Sequence, residues 1–415
     1  MAESRVDSAP APARVRRGLL VLASALAAIA VCGLTLWAGG AADVVSVPGI
    51  PAPPPVVAWL VPALRLVADA AAVLTVGCLF GAVVLVPGDT VLSTAGYRWV
   101  RLAGWGAVVW ALTSLASLPV LLADFLGTGF SAISLRGVWS FVESVEQGRN
   151  LVVVAALAAV VAAFARTVLH PAGARVLLFI ALAATVPPAF TSHSADKADH
   201  NLAVTAVVLH VLGVVLWAGG LLALMLAARL SGPARVTAVE RFSRLALPLA
   251  VVVGGSGVVT AYTRFSSPDQ LLDTGYGAVL LAKVAAFVGL LALAAWHRRR
   301  TLPALRAGHP RMFLRLAGAE AVLFAATIGL AVGLARTPTP PPVVDANAAA
   351  APAEQLHILP TAVTSPHDHS CVKDLSPLGC AAWRLRWTGT NWLLTRRIPT
   401  LSSALVDDRK PIPCP

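Results

Sequence analysis

The sequence predicts an all-α, polytopic transmembrane helical bundle of about nine spans with a cytoplasmic N-terminus. Three observations predict it. Charged residues make up 13% of the 415 positions, whereas a soluble domain carries about 25%. Hydrophobic residues make up 57%, and the mean hydropathy is +0.78. These apolar residues fall in blocks of about twenty, long enough to cross the hydrocarbon core as helices. The arginines sit in short stretches between the blocks, so the net charge of +12 reads as a topology signal and excludes a nucleic-acid partner.

The spans follow in order at 18–38, 63–86, 104–122, 151–168, 176–190, 202–228, 246–263, 277–297 and 314–335. The first follows a cytoplasmic segment, 1–17, that carries arginines. It is longer than a signal-peptide apolar region and lacks an A-x-A site, so it reads as a retained helix rather than a cleaved signal. The second can begin as early as Val56, with Arg65 snorkelling to the interface. The fifth is short for a full crossing.

Charge counting orients the chain. With the N-terminus in the cytoplasm, the inner segments hold Arg5, Arg14, Arg16, Arg17, Arg98, Arg101, Arg166 and Arg175. Further along they hold Arg229, Arg235, Arg241, Arg244, Arg298, Arg299, Arg300, Arg306, Arg311 and Arg315. The outer loops hold only Arg136, Arg149, Lys197 and Arg264. Cytoplasmic enrichment of Lys and Arg is the expected bias, and it supports both the orientation and the parity of the spans.

The outer loops are then 39–62, 123–150, 191–201 and 264–276. Within the second of them, ISLRGVWSFVESV mixes apolar and polar positions and reads as an interfacial helix. The chain divides into 1–17, an N-terminal set of helices over 18–190, a second membrane module over 191–335, and a tail over 336–415. The tail loses the apolar blocks and reads as irregular and extracytoplasmic. Its composition differs enough from the rest to fit a frameshifted or truncated terminus.

Histidines concentrate in TSHSADKADHNLAVTAVVLHVLGVVLWAGG, residues 191–220. His193 and His200 lie before or at the start of the sixth span. His210 lies about 12 Å below the outer surface at the helical rise. Trp217 follows seven positions later, on nearly the same face, and Gly219 and Gly220 permit close helix packing. Imidazole is a competent ligand for copper, zinc, iron and nickel, so His193, His200 and His210 form a candidate metal path. Asp196 and Asp199 would add negative charge at its mouth. The same residues also fit an ordinary solvated loop and one buried histidine bonded to a neighbouring helix.

Charges inside a membrane are expensive and invite a functional explanation. Lys283 lies about 9 Å deep, close to the level of His210. It calls for an anionic partner or for a neutral His210, the form in which imidazole binds metal. Glu320 approaches from the cytoplasmic side and leaves a vertical gap to Lys283 of roughly 12 Å in a core of about 30 Å, too far for a direct pair. Asp69 and Arg65 have the spacing of an i,i+4 ion pair. Cys32, Cys78 and Met225 are soft but isolated, and fit apolar packing. His367, His369 and Cys371 form an H-x-H-x-C in the tail, a weak metal signal. GGSG at 254–257 lies within a span and reads as close packing. No CxxC, Walker loop or nucleophile elbow occurs, and no enzyme activity is expected.

The second module resembles the copper resistance protein D (CopD) family of bacterial inner-membrane proteins. The resemblance rests on SH at 192–193, LHVLGVVLWAGGLLAL at 209–224 and RFSRLALPLAVVVGGSGVVTAY at 241–262. It continues with LLDTGYGAVLLAKVAAFVGLLAL at 271–293 and LRLAGAEAVLFAATIGLAV at 314–332. It is closest to actinobacterial members, in which the module is often fused to a CtaG-type cytochrome oxidase assembly module, absent here. It implies copper as the ion handled, copper import across the cytoplasmic membrane, and functional positions at His193, His210, Trp217, Lys283 and Glu320. It also implies membrane lipid and an extracytoplasmic copper chaperone or a respiratory oxidase as partners. Two other readings stay open: a metal-delivery or assembly factor for a respiratory oxidase, and a haem carrier. The second of these lacks a further histidine at the depth of His210.

Overall fold

The computed structural model describes residues 11–39, 52–190, 200–227, 230, 232–306, 310–340, 383–387 and 392–396. Among them, nine helices are long and apolar enough to cross a membrane. The helices are α1 (Ala11–Ala38), α2 (Pro55–Phe80), α3 (Thr94–Leu126), α4 (Leu135–Ser144), α5 (Glu146–Phe164) and α6 (Pro171–Ala184). They continue with α7 (Pro187–Phe190), α8 (His200–Ala227), α9 (Gly232–Tyr262), α10 (Gln270–Asp273), α11 (Gly275–Arg306) and α12 (Pro310–Leu334). Helices are the required solution because the bilayer core offers no water to backbone groups, and a helix satisfies them internally.

Each expected span is present, and local chemistry moves its ends. α2 starts eight positions before the expected 63, with Pro55 at its first turn, where a fixed φ suits the helix and no N–H is missed. α3 extends ahead of its apolar block because the Ser93 hydroxyl caps it, accepting the Gly96 N–H at 3.1 Å. It closes at Gly127, whose φ of 62° is the left-handed stop that glycine adopts at little cost. The fifth span breaks after Ala184, and Pro187-Pro188 begins the single turn of α7. α4 falls on the stretch expected to be interfacial. It turns Phe141 inward and leaves Leu135 and Trp139 exposed.

α2 is the spine, packed against α3, α6 and α8. The α2–α8 crossing is backbone on backbone: a Cβ added at Gly77 would lie 2.5 Å from the Gly219 carbonyl oxygen. Small residues are what let membrane helices approach this closely. At the end of α2 the chain makes a π-helical turn, Gly81–Leu85. The Arg241 guanidinium of α9 takes up its carbonyls, donating to Val84 at 3.2 Å and Leu85 at 3.4 Å. α1 was grouped by position with the N-terminal helices but packs against α12. There a Cβ at Gly329 would collide with the Ala28 backbone.

Sidedness is internally consistent. A bidentate ion pair between Asp124 and Arg336 puts the C-terminal ends of α3 and α12 on one face. The end of α1 and the start of α11 join them there, because Gly39 abuts Thr337 and Gly275 abuts Gly39. The opposite face carries the Leu92 N–H bonded to the Leu169 carbonyl at 2.9 Å, and Arg241 on the π turn. The charge count assigns the first set to the outside and the second to the cytoplasm.

The chain from Val344 onward forms a second unit. Its described residues are two strands, β1 (Trp383–Trp387) and β2 (Trp392–Arg396), paired antiparallel with Trp387 opposite Trp392. The expectation of an irregular tail did not include this pair. The H-x-H-x-C of His367, His369 and Cys371 lies outside the described residues.

Candidate functional site

α8 is held on both sides. Gly219 seats it on α2, and Gly213 and Gly220 seat it on α9 against Val253 and the Phe242 ring. This packing turns His210 toward α9. Its Nδ1 lies 3.1 Å from the Val253 carbonyl oxygen and 3.3 Å from the Ser256 Oγ. The Ser256 hydroxyl donates its own proton to the Val252 carbonyl at 2.5 Å, so toward His210 it can only accept. Two acceptors facing Nδ1 require that Nδ1 carry the hydrogen. In the neutral ring the Nε2 lone pair is then left over, the arrangement by which a backbone carbonyl orients a ligating imidazole. Gly257 lines the ring: a Cβ there would sit 3.5 Å from Cε1. GGSG is therefore both a packing element and the seat of the histidine.

Lys283, on α11, lies one turn before Phe287, whose ring meets the indole of Trp217 on the helix that carries His210. Arg65 and Asp69 form an ion pair at 3.0 Å, and Arg336 and Asp124 form another at 2.7 Å. The first is the i,i+4 pair expected in α2.

Trp217 is 2% exposed. Its indole meets the Phe287 ring of α11 at 6.0 Å between centroids and the Phe324 ring of α12 at 5.1 Å, both edge to face. Its Nε1 is buried without a hydrogen-bond partner. Glu320, 3% exposed, lies on α12 one turn before Phe324. Cys78 and Met225 belong to the main apolar core, and Cys32 to a separate cluster with Leu36 and Val332.

His200 opens α8, ten positions before His210. That separation is about 15 Å along the helix, so the two cannot share one ion. His193 lies outside the described residues. Among the described residues no group of three or more His, Cys, Asp and Glu side chains converges on one point. The arrangement is an oriented imidazole, with an aromatic layer and a carboxylate further along the bundle.

Sequence reasoning passed over Ser256, Phe287, Phe324 and the Asp124–Arg336 pair. The signal for Ser256 was available: a hydroxyl six positions from the end of α9 lies about 9 Å deep, near the level of His210. The phenylalanines gave none, because in an apolar span a phenylalanine at a site resembles one facing lipid.

The family model described as copper resistance protein D-like, N-terminal domain, matches residues 56–201, from α2 to the start of α8. The model described as copper resistance protein D matches residues 236–334, from α9 to α12. Most of α8, with His210 and Trp217, lies between the two matches. The copper transport protein CutJ of Bacillus subtilis (strain 168) is 31% identical over 159 residues, which is 37% of this chain and 29% of that protein. The match therefore spans less than a third of that relative's length. No solved structure matches.

Proposed function

The chain belongs to the copper resistance protein D family, and on that premise we propose that it carries copper ions inward across the bacterial cytoplasmic membrane. Its function is copper-related and its body is a multi-pass membrane bundle. In the proposed path, His193 and His200 receive the ion at the outer mouth, and His210 holds it within α8. The observation that carries the reading is the His210 ring: Nδ1 tied to the Val253 carbonyl leaves Nε2 as a lone pair inside the bundle. Imidazole nitrogen is a suitable donor for copper. Ser256 steadies the ring, and Lys283 sets the charge around it. In this reading the ion moves down a gradient. The donor of the ion would be an extracytoplasmic copper chaperone.

The test is copper accumulation in cells that express wild type or His210→Ala at matched membrane levels. His210→Ala lowers accumulation; equal accumulation would remove His210 from the path. If deletion of the protein lowers oxidase activity while total cellular copper stays constant, the protein serves oxidase assembly instead.

A further inference from the structure

The polar groups of the second module are not continuous along the bundle. α11 and α12 run antiparallel, since Tyr276 and Val279 at the start of α11 cluster with Leu330 and Leu334 at the end of α12. α8 runs parallel to α11: α8 ends beside the π turn, where Ala223 meets Gly81, on the face opposite the one where α11 starts beside Gly39, and between these ends Trp217 meets Phe287. These directions rank the side chains by level. Lys283 lies four positions, about 6 Å, to one side of Phe287, and Glu320 lies four positions, about 6 Å, to the other side of Phe324. Phe287 and Phe324 both touch the Trp217 indole, so the three rings occupy one level. His210 and Lys283 stand on one side of that layer, and Glu320 stands on the other.

We propose that Trp217, Phe287 and Phe324 form the closed gate of the pathway, a dry aromatic layer dividing a station at His210 and Lys283 from a second station at Glu320. The proposal rests on the transport reading and adds where the path is shut and which residue lies beyond it. Two observations support it. The rings come from three different helices and pack edge to face, so the seal depends on how α8, α11 and α12 sit against one another. The Trp217 N–H is buried with no acceptor, a state that native structures rarely tolerate without a reason. A small rotation of the indole, or a parting of α11 and α12, would give that N–H water. The orphaned donor therefore biases the layer toward opening, while packing of the rings holds it shut. Hydrophobic constrictions of this kind gate by excluding water.

The experiment uses the full chain in liposomes without copper, with ion leak followed by an entrapped pH-sensitive dye under an applied potential. Wild type and Trp217→Phe, which keeps a ring at the position, stay tight. Trp217→Ala and Phe324→Ala leak on the order of tenfold faster, equivalent to about 1.4 kcal/mol off the barrier. A milder variant guards against misfolding. In a cysteine-free background, Glu320→Cys resists an impermeant maleimide added from the His210 side and becomes reactive when Phe324→Leu is added. Alanine variants as tight as wild type, with Glu320→Cys shielded in both backgrounds, would overturn the proposal. If the wild type moves no copper yet the alanine variants leak, the transport reading fails and the barrier stands.

Discussion

Asp124 and Arg336, 212 positions apart, meet in a two-pronged ion pair with N–O distances of 2.7 and 3.1 Å. The pair ties the C-terminal end of α3, in the half matched by the N-terminal family model, to the end of α12 in the other half. Its side chains are 15% and 35% exposed, so solvent screens it only partly. Bidentate guanidinium–carboxylate geometry is the favourable case for such pairs, but partial exposure keeps its value at about 1 kcal/mol. Asp124→Asn and Arg336→Gln should each lower the melting temperature in detergent. The exchange Asp124→Arg with Arg336→Asp should recover part of the loss. Additive losses in the double variant would show that the two charges do not act together.

The same pair fixes which ends share a face but not which face is outside. The charge count assigns the face with Asp124 and Arg336 to the exterior. Ser266, in the exposed loop after α9, belongs to that face, and Thr90, exposed after the π turn, belongs to the opposite one. In intact cells an impermeant maleimide should label Ser266→Cys and spare Thr90→Cys. The reverse pattern would invert the orientation and turn the proposed import into export.

How far the sequence foretold the molecule depends on the physics behind each signal. Spans were legible because a membrane crossing needs about twenty apolar residues in a row, and their order and parity followed from arginine placement. The Arg65–Asp69 pair was legible because i,i+4 spacing is local. The early start of α3 was hidden because Ser93 acts through a cap and not through hydropathy. The seat of α1 against α12 was hidden because which helices touch is a tertiary matter. At the site, the placement of His210 and Lys283 within long apolar helices was legible from the apolar blocks that hold them. The acceptors of His210 did not, because Val253 contributes a backbone carbonyl that no side-chain pattern reports.

Close helix contact makes the scaffold sensitive to a single carbon. Gly77→Ala would drive a methyl into the Gly219 backbone at the α2–α8 crossing. Backbone cannot move aside as a flexible side chain can, and overpacking typically costs 1–3 kcal/mol. Because α8 carries His210, the variant should lose both thermal stability and copper accumulation. An unchanged melting temperature would mean that the helices can separate freely at that crossing.

Ser256 offers a finer test of the imidazole's orientation. It accepts from Nδ1 at 3.3 Å, while the Val253 carbonyl accepts at 3.1 Å and survives any side-chain change. Groups that hydrogen-bond the far nitrogen of a metal-bound histidine are typically worth about 10–100-fold in metal affinity. With one of two acceptors remaining, Ser256→Ala should fall at the low end, raising the copper concentration for half-maximal uptake by about tenfold. Ser256→Thr keeps the hydroxyl and should stay near wild type if the added methyl is tolerated. His210→Ala should reduce uptake at every copper concentration, because it removes the donor itself. The measurement is the copper dependence of initial uptake rate at matched protein levels. If Ser256→Ala lowered the maximal rate and left the half-maximal concentration unchanged, Ser256 would act on helix movement and not on the orientation of His210.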